Sequence, residues 1–218
     1  MHTPHTLHDQ TFWLSPERTM YWEKHRTLVV ADLHLGKTGH FRRSGIAVPA
    51  SVYKADLHRL VSVIFNCKAE RMIIVGDMTH SSANRELELF LKWRKDFSGL
   101  HIDLVKGNHD ILDRQWYQEA DINLHEEELV MDGFCFRHGD QEKAENPPEG
   151  HLYTFTGHVH PGVILRGSGK QYLRLPCFYF GHKKGILPAF SHFTGTYTVS
   201  PENGETVYAL AGKELVRF

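Results

Sequence analysis

The stretch Met72-Ile73-Ile74-Val75-Gly76-Asp77 constrains this chain more than any other. Four apolar residues run straight into a glycine and a carboxylate. A continuous apolar run with β-branched residues reads as a strand buried on both faces, as in α/β sheets. Gly76 lets the backbone turn sharply where the strand ends. Asp77 is thereby placed at the carboxyl edge of a sheet, where open α/β folds bind ligands. Four other segments end in the same way, each in residue types that ligate metals.

Thr27-Leu28-Val29-Val30 is a second buried run and ends in Ala31-Asp32-Leu33-His34. Asp32 and His34 are two apart, so an extended backbone would point both to one side, a chelating spacing. Pro49 precedes a helix over about 50–66, with Val52, Leu57, Leu60, Val61 and Ile64 at helical spacing. Asn84 is placed to cap a helix through about Phe97, and Gly99 suits its stop. A third run, 102–106, ends in Gly107-Asn108-His109-Asp110. Residues 27–110 therefore read strand, helix, strand, helix, strand, which implies right-handed crossovers and a parallel sheet.

Around this segment the pattern is mostly β. Thr11–Leu14 and Met20–Trp22 flank a Ser15-Pro16 turn, as in a hairpin. Glu126-Glu127-Glu128 reads as a solvated acidic turn. Leu129–Met131 and Phe134–Arg137 flank Asp132-Gly133, a strong hairpin signal, and lead into His138-Gly139-Asp140. Residues 141–150 read as a loop. A strand over 152–156 ends in Gly157-His158-Val159-His160. Later strands are expected at 172–175, 177–180 and 196–199, with a last hairpin around Ala211-Gly212. No repeat or linker divides the chain, so a single domain over 1–218 is expected.

Composition excludes some functions. No apolar run approaches the roughly 20 residues that span a bilayer. The first ten residues are polar and lack an apolar signal core, which suggests a cytoplasmic protein. Cys67, Cys135 and Cys177 form no CxxC pair, so reduced thiols are expected. The net charge of -1 gives no global basic field for nucleic acid, leaving only local clusters. The 17 histidines stand out, because histidine is the commonest metal ligand and the usual acid–base group near neutrality.

Each of the five blocks alone is an ordinary strand end. Five in this order are a metal-site signature, and they resemble the calcineurin-like metallophosphoesterase family. That pattern is D-x-H, G-D, G-N-H-[DE], a histidine after a strand, and G-H-x-H. The resemblance implies an α/β fold, a four-layer α/β/β/α sandwich with two divalent metal ions between loops at one sheet edge. It implies that Asp32, His34 and His160 hold one metal and that Asn108, His138 and His158 hold the other. Asp77 would bridge them. His109 would lie at the substrate phosphate, paired with the carboxylate of Asp110.

The residue types suit that chemistry. Two ions about 3.5–4 Å apart hold both oxygens of an in-line displacement and activate a water as hydroxide. Neutral imidazoles and a carboxamide limit the negative charge, so an anionic phosphate can still bind. The mixed N/O donor set suits manganese, iron, zinc or nickel more than magnesium or calcium, and manganese is the metal expected. If Asn108 is a ligand, the adjacent His109 diverges from it and is free to act as general acid.

A narrower resemblance is to the PdeM branch, bacterial proteins known as ligase-associated DNA damage response endonucleases. It is carried by Ala31 to Lys37, Phe41-Arg42, Gly45 to Pro49, Arg174 to Phe178 and Leu187 to Phe190. His80 stands where many family members carry an acid or amide, and His192 where this branch is expected to carry glycine. The resemblance implies a phosphodiesterase or endonuclease acting on nucleic acid or cyclic nucleotides, with a DNA ligase and a helicase as partners. Lys37, Arg42 and Arg43 are the candidates for gripping substrate phosphate. The alternatives are a phosphomonoesterase or nucleotide pyrophosphatase on the same site, or a non-catalytic scaffold. The intact ligand set weighs against the scaffold.

Overall fold

A computed structural model describes residues 2–37, 51–80, 85–139, 150–167, 169, 171–192 and 194–218. Among them, seven strands form the first sheet in sequence order: β1 Thr3–Leu7, β2 Gln10–Ser15, β3 Thr19–Trp22, β4 Thr27–Ala31, β5 Arg71–Val75, β6 His101–Val105 and β7 Ile122–His125. The first four pair antiparallel, and β4 to β7 are parallel. Helices α1 Ser51–Cys67, α2 Arg85–Asp96 and α3 Arg114–Glu119 fill the crossovers between the parallel strands.

Alternation within these strands explains the layers. Leu28, Val30, Met72, Ile74, Ile102 and Leu104 pack with Leu60, Ile64, Leu87 and Phe90 of the helices. Their neighbours Val29, Ala31, Ile73, Val75 and Val105 face the other way, into an aromatic core with Phe134, Phe136, Phe155 and Phe178. Strands buried on both faces need apolar residues at every position, which is why the runs were continuous.

The second sheet supplies those aromatics. It comprises β8 Glu128–Met131, β9 Phe134–Arg137, β10 Tyr153–Thr156, β11 Pro161–Arg166, β12 Tyr172–Phe180, β13 Lys184–Ile186, β14 Tyr197–Thr198, β15 Thr206–Ala211 and β16 Glu214–Arg217. β9, β10 and β13 run parallel, so β9 and β10 end at the same edge. The expected two-sheet α/β sandwich is therefore present. The described helices all lie on the first sheet. The second sheet's outer face carries a small apolar cluster around Cys177, Val207 and Ala209, with no helix there among the described residues.

Several elements differ from expectation. β1 has no apolar run to announce it; it is joined to β2 by a two-residue turn with both His8 and Asp9 at positive φ. His5 stacks on Phe180 at 3.8 Å between ring centroids, tying this strand to the second sheet. The crossover through α3 to β7 extends the parallel sheet beyond residue 110, from a helix too short to show a period. Glu128 belongs to β8, not to an acidic turn, and pairs with Arg137. The strands expected at 172–175 and 177–180 are one strand. Pro176 pairs with Gly162 of β11, and from Cys177 onward β12 turns to β15. The missing N–H of proline thus falls where partners change. Asn84 lies outside the described residues.

Asp103 is a buried carboxylate facing the aromatic core side. It accepts from Arg71 Nε at 2.7 Å and lies 2.9 Å from His125 Nε2. Burial alone would raise its pKa, but hydrogen bonds from Arg71 and His125 outweigh this and hold it below the ordinary carboxylate value. A depressed folded pKa means the stabilisation is complete above the unfolded value of about 3.9 and is lost as pH falls through the folded value. Asp103→Asn is expected to cost about 1–3 kcal/mol in urea unfolding at neutral pH. That difference should shrink below about pH 4, as wild type itself loses the charge. A cost unchanged by acid would assign it to packing.

Candidate metal centre

β4 and β5 keep pairing after their strands end. Asp32 N–H donates to Gly76 O at 3.1 Å, His34 N–H to Asp77 O at 2.9 Å, and Leu35 N–H to Met78 O at 2.8 Å. From the other side, Phe190 N–H donates to Ala31 O at 2.8 Å and Ser191 N–H to Asp32 O at 3.2 Å. The peptides around Asp32 are therefore fixed by backbone on both flanks.

The route by which Asp32 and His34 share a side differs from the extended strand expected. Both have left-handed backbone, at φ 55° and 49°. Asp77, His158 and His160 do too, at 49°, 67° and 51°. Each such non-glycine residue costs on the order of 1–3 kcal/mol, and such strain collects at functional sites. Glycines allow the crowding. A Cβ at Gly76, itself at φ 71°, would lie 2.0 Å from His138 Cγ. One at Gly107 would lie 2.2 Å from the Asp77 nitrogen.

The result is two adjoining donor groups. Asp32, His34 and His160 each offer a ligand atom within 4.8 Å of the others, and so do Asp77, His138 and His158. In the first, His160 Nε2 is 3.4 Å from Asp32 Oδ1 and 3.5 Å from His34 Nε2. In the second, His138 Nε2 is 3.4 Å from Asp77 Oδ1. His138 Nδ1 lies 4.0 Å from Asp32 Oδ1, so the groups touch. His158 and His160 of Gly-His-x-His fall in different groups.

These donors suit cations. His34 Nδ1 and His138 Nε2 are buried without a hydrogen bond. The 3.4 Å approach of His138 to Asp77 is near enough for attraction but is not directed as a hydrogen bond. Burial, with help from the Lys37 ammonium, drives His34 down to about 2, so its ring is neutral, as a ligand must be. Burial would raise Asp77, but His138, the His109 amide and His34 hold it below the usual carboxylate range. Burial disfavours charge on His138, yet Asp77 and Asp32 prevail and raise its pKa. Two buried carboxylates thus seek positive charge, which a proton on His138 or a cation can supply.

The remaining candidates take different places. His109 N–H donates to Asp77 Oδ1 at 2.9 Å, while its half-exposed ring reaches Asp77 Oδ2 only at 4.0 Å. Asn108 stands one residue earlier in the same turn, exposed. Asp110 is fully buried and is not placed against the His109 ring. Its oxygens accept from Thr79 N–H at 2.8 Å, Thr79 Oγ1 at 3.0 Å and Gly107 N–H at 2.8 Å. It braces the loops of β5 and β6 together. Burial raises its pKa. Lys37 is half-buried near Asp32 and Asp77, and burial lowers its pKa. Arg42 and Arg43 lie outside the described residues.

Three further contributors had no site role assigned from sequence. His80 brings its ring 4.3 Å from that of His109 and 5.2 Å from that of His34. Glu86, buried at the start of α2, accepts from Gly36 N–H at 3.0 Å and anchors the first ligand loop. Asp56 of α1 holds the 189–191 segment: Arg59 donates to it at 3.0 Å, and His192 Nδ1 lies 3.1 Å away. The histidine standing in a glycine's place therefore has a partner. Arg59 also covers the Phe190 ring at 3.8 Å.

No curated protein matches the chain. Among solved structures, it is similar to the nuclease MPE of Pseudomonas putida. The two share 32% identity with a TM-score of 0.81, over 96% of this chain and 97% of that one. A fainter likeness, at 13% identity and a TM-score of 0.45 over 88% and 97% of the two chains, is to the E. coli phosphoesterase Yfce. Residues 25–172 match the calcineurin-like phosphoesterase family, a span that contains both donor groups. The chain belongs to the calcineurin-like phosphoesterases, hydrolases of phosphate esters that use divalent metals.

Proposed function

We propose that this protein is a phosphodiesterase that cleaves nucleic acid, working as one domain over 1–218 in the cytoplasm. The observation that carries the reading is the pair of adjoining donor groups, with the half-exposed His109 ring beside Asp77. The nuclease that resembles it across nearly its whole length supports the substrate class. Asp32, His34 and His160 would hold one ion, and Asn108, His138 and His158 the other, with Asp77 shared. The mixed nitrogen and oxygen donors suit manganese, iron, zinc or nickel more than magnesium or calcium, and manganese is the metal expected here. When bound, the two ions supply Lewis acidity to the phosphate and lower the pKa of the attacking water.

The chain's own residues do the rest. The neutral imidazoles leave room for an anionic ester. Lys37 sits near both carboxylates, suited to a phosphate oxygen, and Arg42 and Arg43 follow on the same stretch of sequence. As water adds to phosphorus, the bond to the leaving oxygen breaks, and His109 gives that oxygen its proton. A DNA ligase and a helicase are the partners implied by the PdeM resemblance. Hydrolysis of bis-p-nitrophenyl phosphate with manganese is expected to outpace that of p-nitrophenyl phosphate. Faster turnover of the monoester would favour a phosphomonoesterase instead.

A further inference from the structure

Beside the centre stands a large aromatic side chain that no core claims. Tyr197 is 67% exposed, yet its position is fixed. Its N–H donates to His160 O at 2.9 Å, and it pairs with Pro161 in the β11–β14 ladder. A lone exposed tyrosine is ordinary on a protein surface. This one is a single hydrogen bond from a loop that carries donors of both groups, and it opens a groove of about 310 Å³. Val159, the residue between His158 and His160, lines the same groove. Lys184 stands in its wall, and the lining holds no carboxylate. Beyond it a second groove of about 360 Å³ adds His182 and Lys183. Glu202 and Glu205 also line it, and Glu205 accepts from the hydroxyl of Tyr179, a residue of both grooves, at 2.5 Å.

We infer that Tyr197 and this groove form a nucleotide subsite next to the scissile phosphate. The neighbouring base stacks on the Tyr197 ring, and the following phosphate lies toward Lys184 and Lys183. Any base offers a π-face, so the subsite is tolerant of sequence. A groove bordered by Val159, between two of the donors, serves a substrate that continues past the scissile bond. It therefore favours a polynucleotide over a cyclic mononucleotide. The inference rests on the nucleic-acid reading above and deepens it.

The test compares oligothymidylate with bis-p-nitrophenyl phosphate, both with manganese, for wild type, Tyr197→Ala and Tyr197→Phe. Tyr197→Ala should lower kcat/KM on the oligonucleotide about 5- to 100-fold, chiefly through KM, as loss of one stacked base implies. It should leave the small diester unchanged, and Tyr197→Phe, which keeps the ring, should restore the oligonucleotide rate. Equal losses on both substrates, or none on either, would overturn the subsite. A wild type that hydrolyses the small diester but leaves the oligonucleotide intact would instead overturn the nucleic-acid reading.

Discussion

Asp77→Ala should abolish phosphodiester hydrolysis and lose at least one bound manganese. The carboxylate is buried, is ionised by its surroundings, and lies 3.4 Å from His138 Nε2. Removing it takes a charge from the second donor group and leaves Asp32 as the other group's carboxylate. The loss should exceed the roughly 10–100-fold that follows from removing a mere hydrogen-bonding partner of a ligand. Asp77 also accepts the His109 amide, so a collapsed loop could imitate a lost ligand. Asp77→Asn separates the two, because its carboxamide oxygen can still accept that N–H while its charge is gone. Both variants should show fewer manganese ions by elemental analysis after dialysis. Both should also lose much of the stabilisation that manganese gives the wild type, about 2.7 kcal/mol at a hundred times Kd for one site. Full activity with two ions retained in either variant would sink the bridging role.

The strand ends that underlie this expectation are legible in the sequence. Ile73, Ile74 and Val75 must be buried on both faces, so Asp77 had to emerge at a sheet edge. The same held for Asp32, Asn108, His138 and His158. Their meeting was not legible from local pattern alone. It depends on the second sheet placing β9 and β10 so that His138 and His158 face the ends of β4 and β5. Long-range packing of Phe134, Phe136 and Phe155 on Val29, Ile73 and Val75 brings this about.

What stayed hidden has particular causes. Left-handed backbone at Asp32 and His34 leaves no mark in a sequence of non-glycine residues, so the spacing suggests an extended chain. Asp110 resembles a partner for its neighbour His109, but adjacent side chains diverge, and its burial sends it to Thr79 and Gly107 instead. Glu86 and Asp56 look like ordinary helix acids. Only the fold shows that one grips Gly36 N–H and the other, through Ser191 and His192, steadies the segment that bonds Asp32 O.

His109→Ala should lower kcat by about 10²–10⁴-fold on a nucleic-acid phosphodiester, the scale of general acid–base help. Metal content should not change, because the ring belongs to neither donor group and the bond to Asp77 comes from the backbone, which alanine retains. The loss should depend on the leaving group. A nucleoside alkoxide is strongly basic and needs its proton as the P–O bond breaks. p-Nitrophenolate departs without one, so bis-p-nitrophenyl phosphate should suffer far less. Plotting log kcat against leaving-group pKa should therefore give a steeper negative slope for the variant than for wild type. Parallel lines would mean that His109 stabilises charge on the phosphoryl oxygens in every substrate alike, and the proton donor would have to be sought elsewhere. The nearest ring to examine would then be His80, 4.3 Å from that of His109.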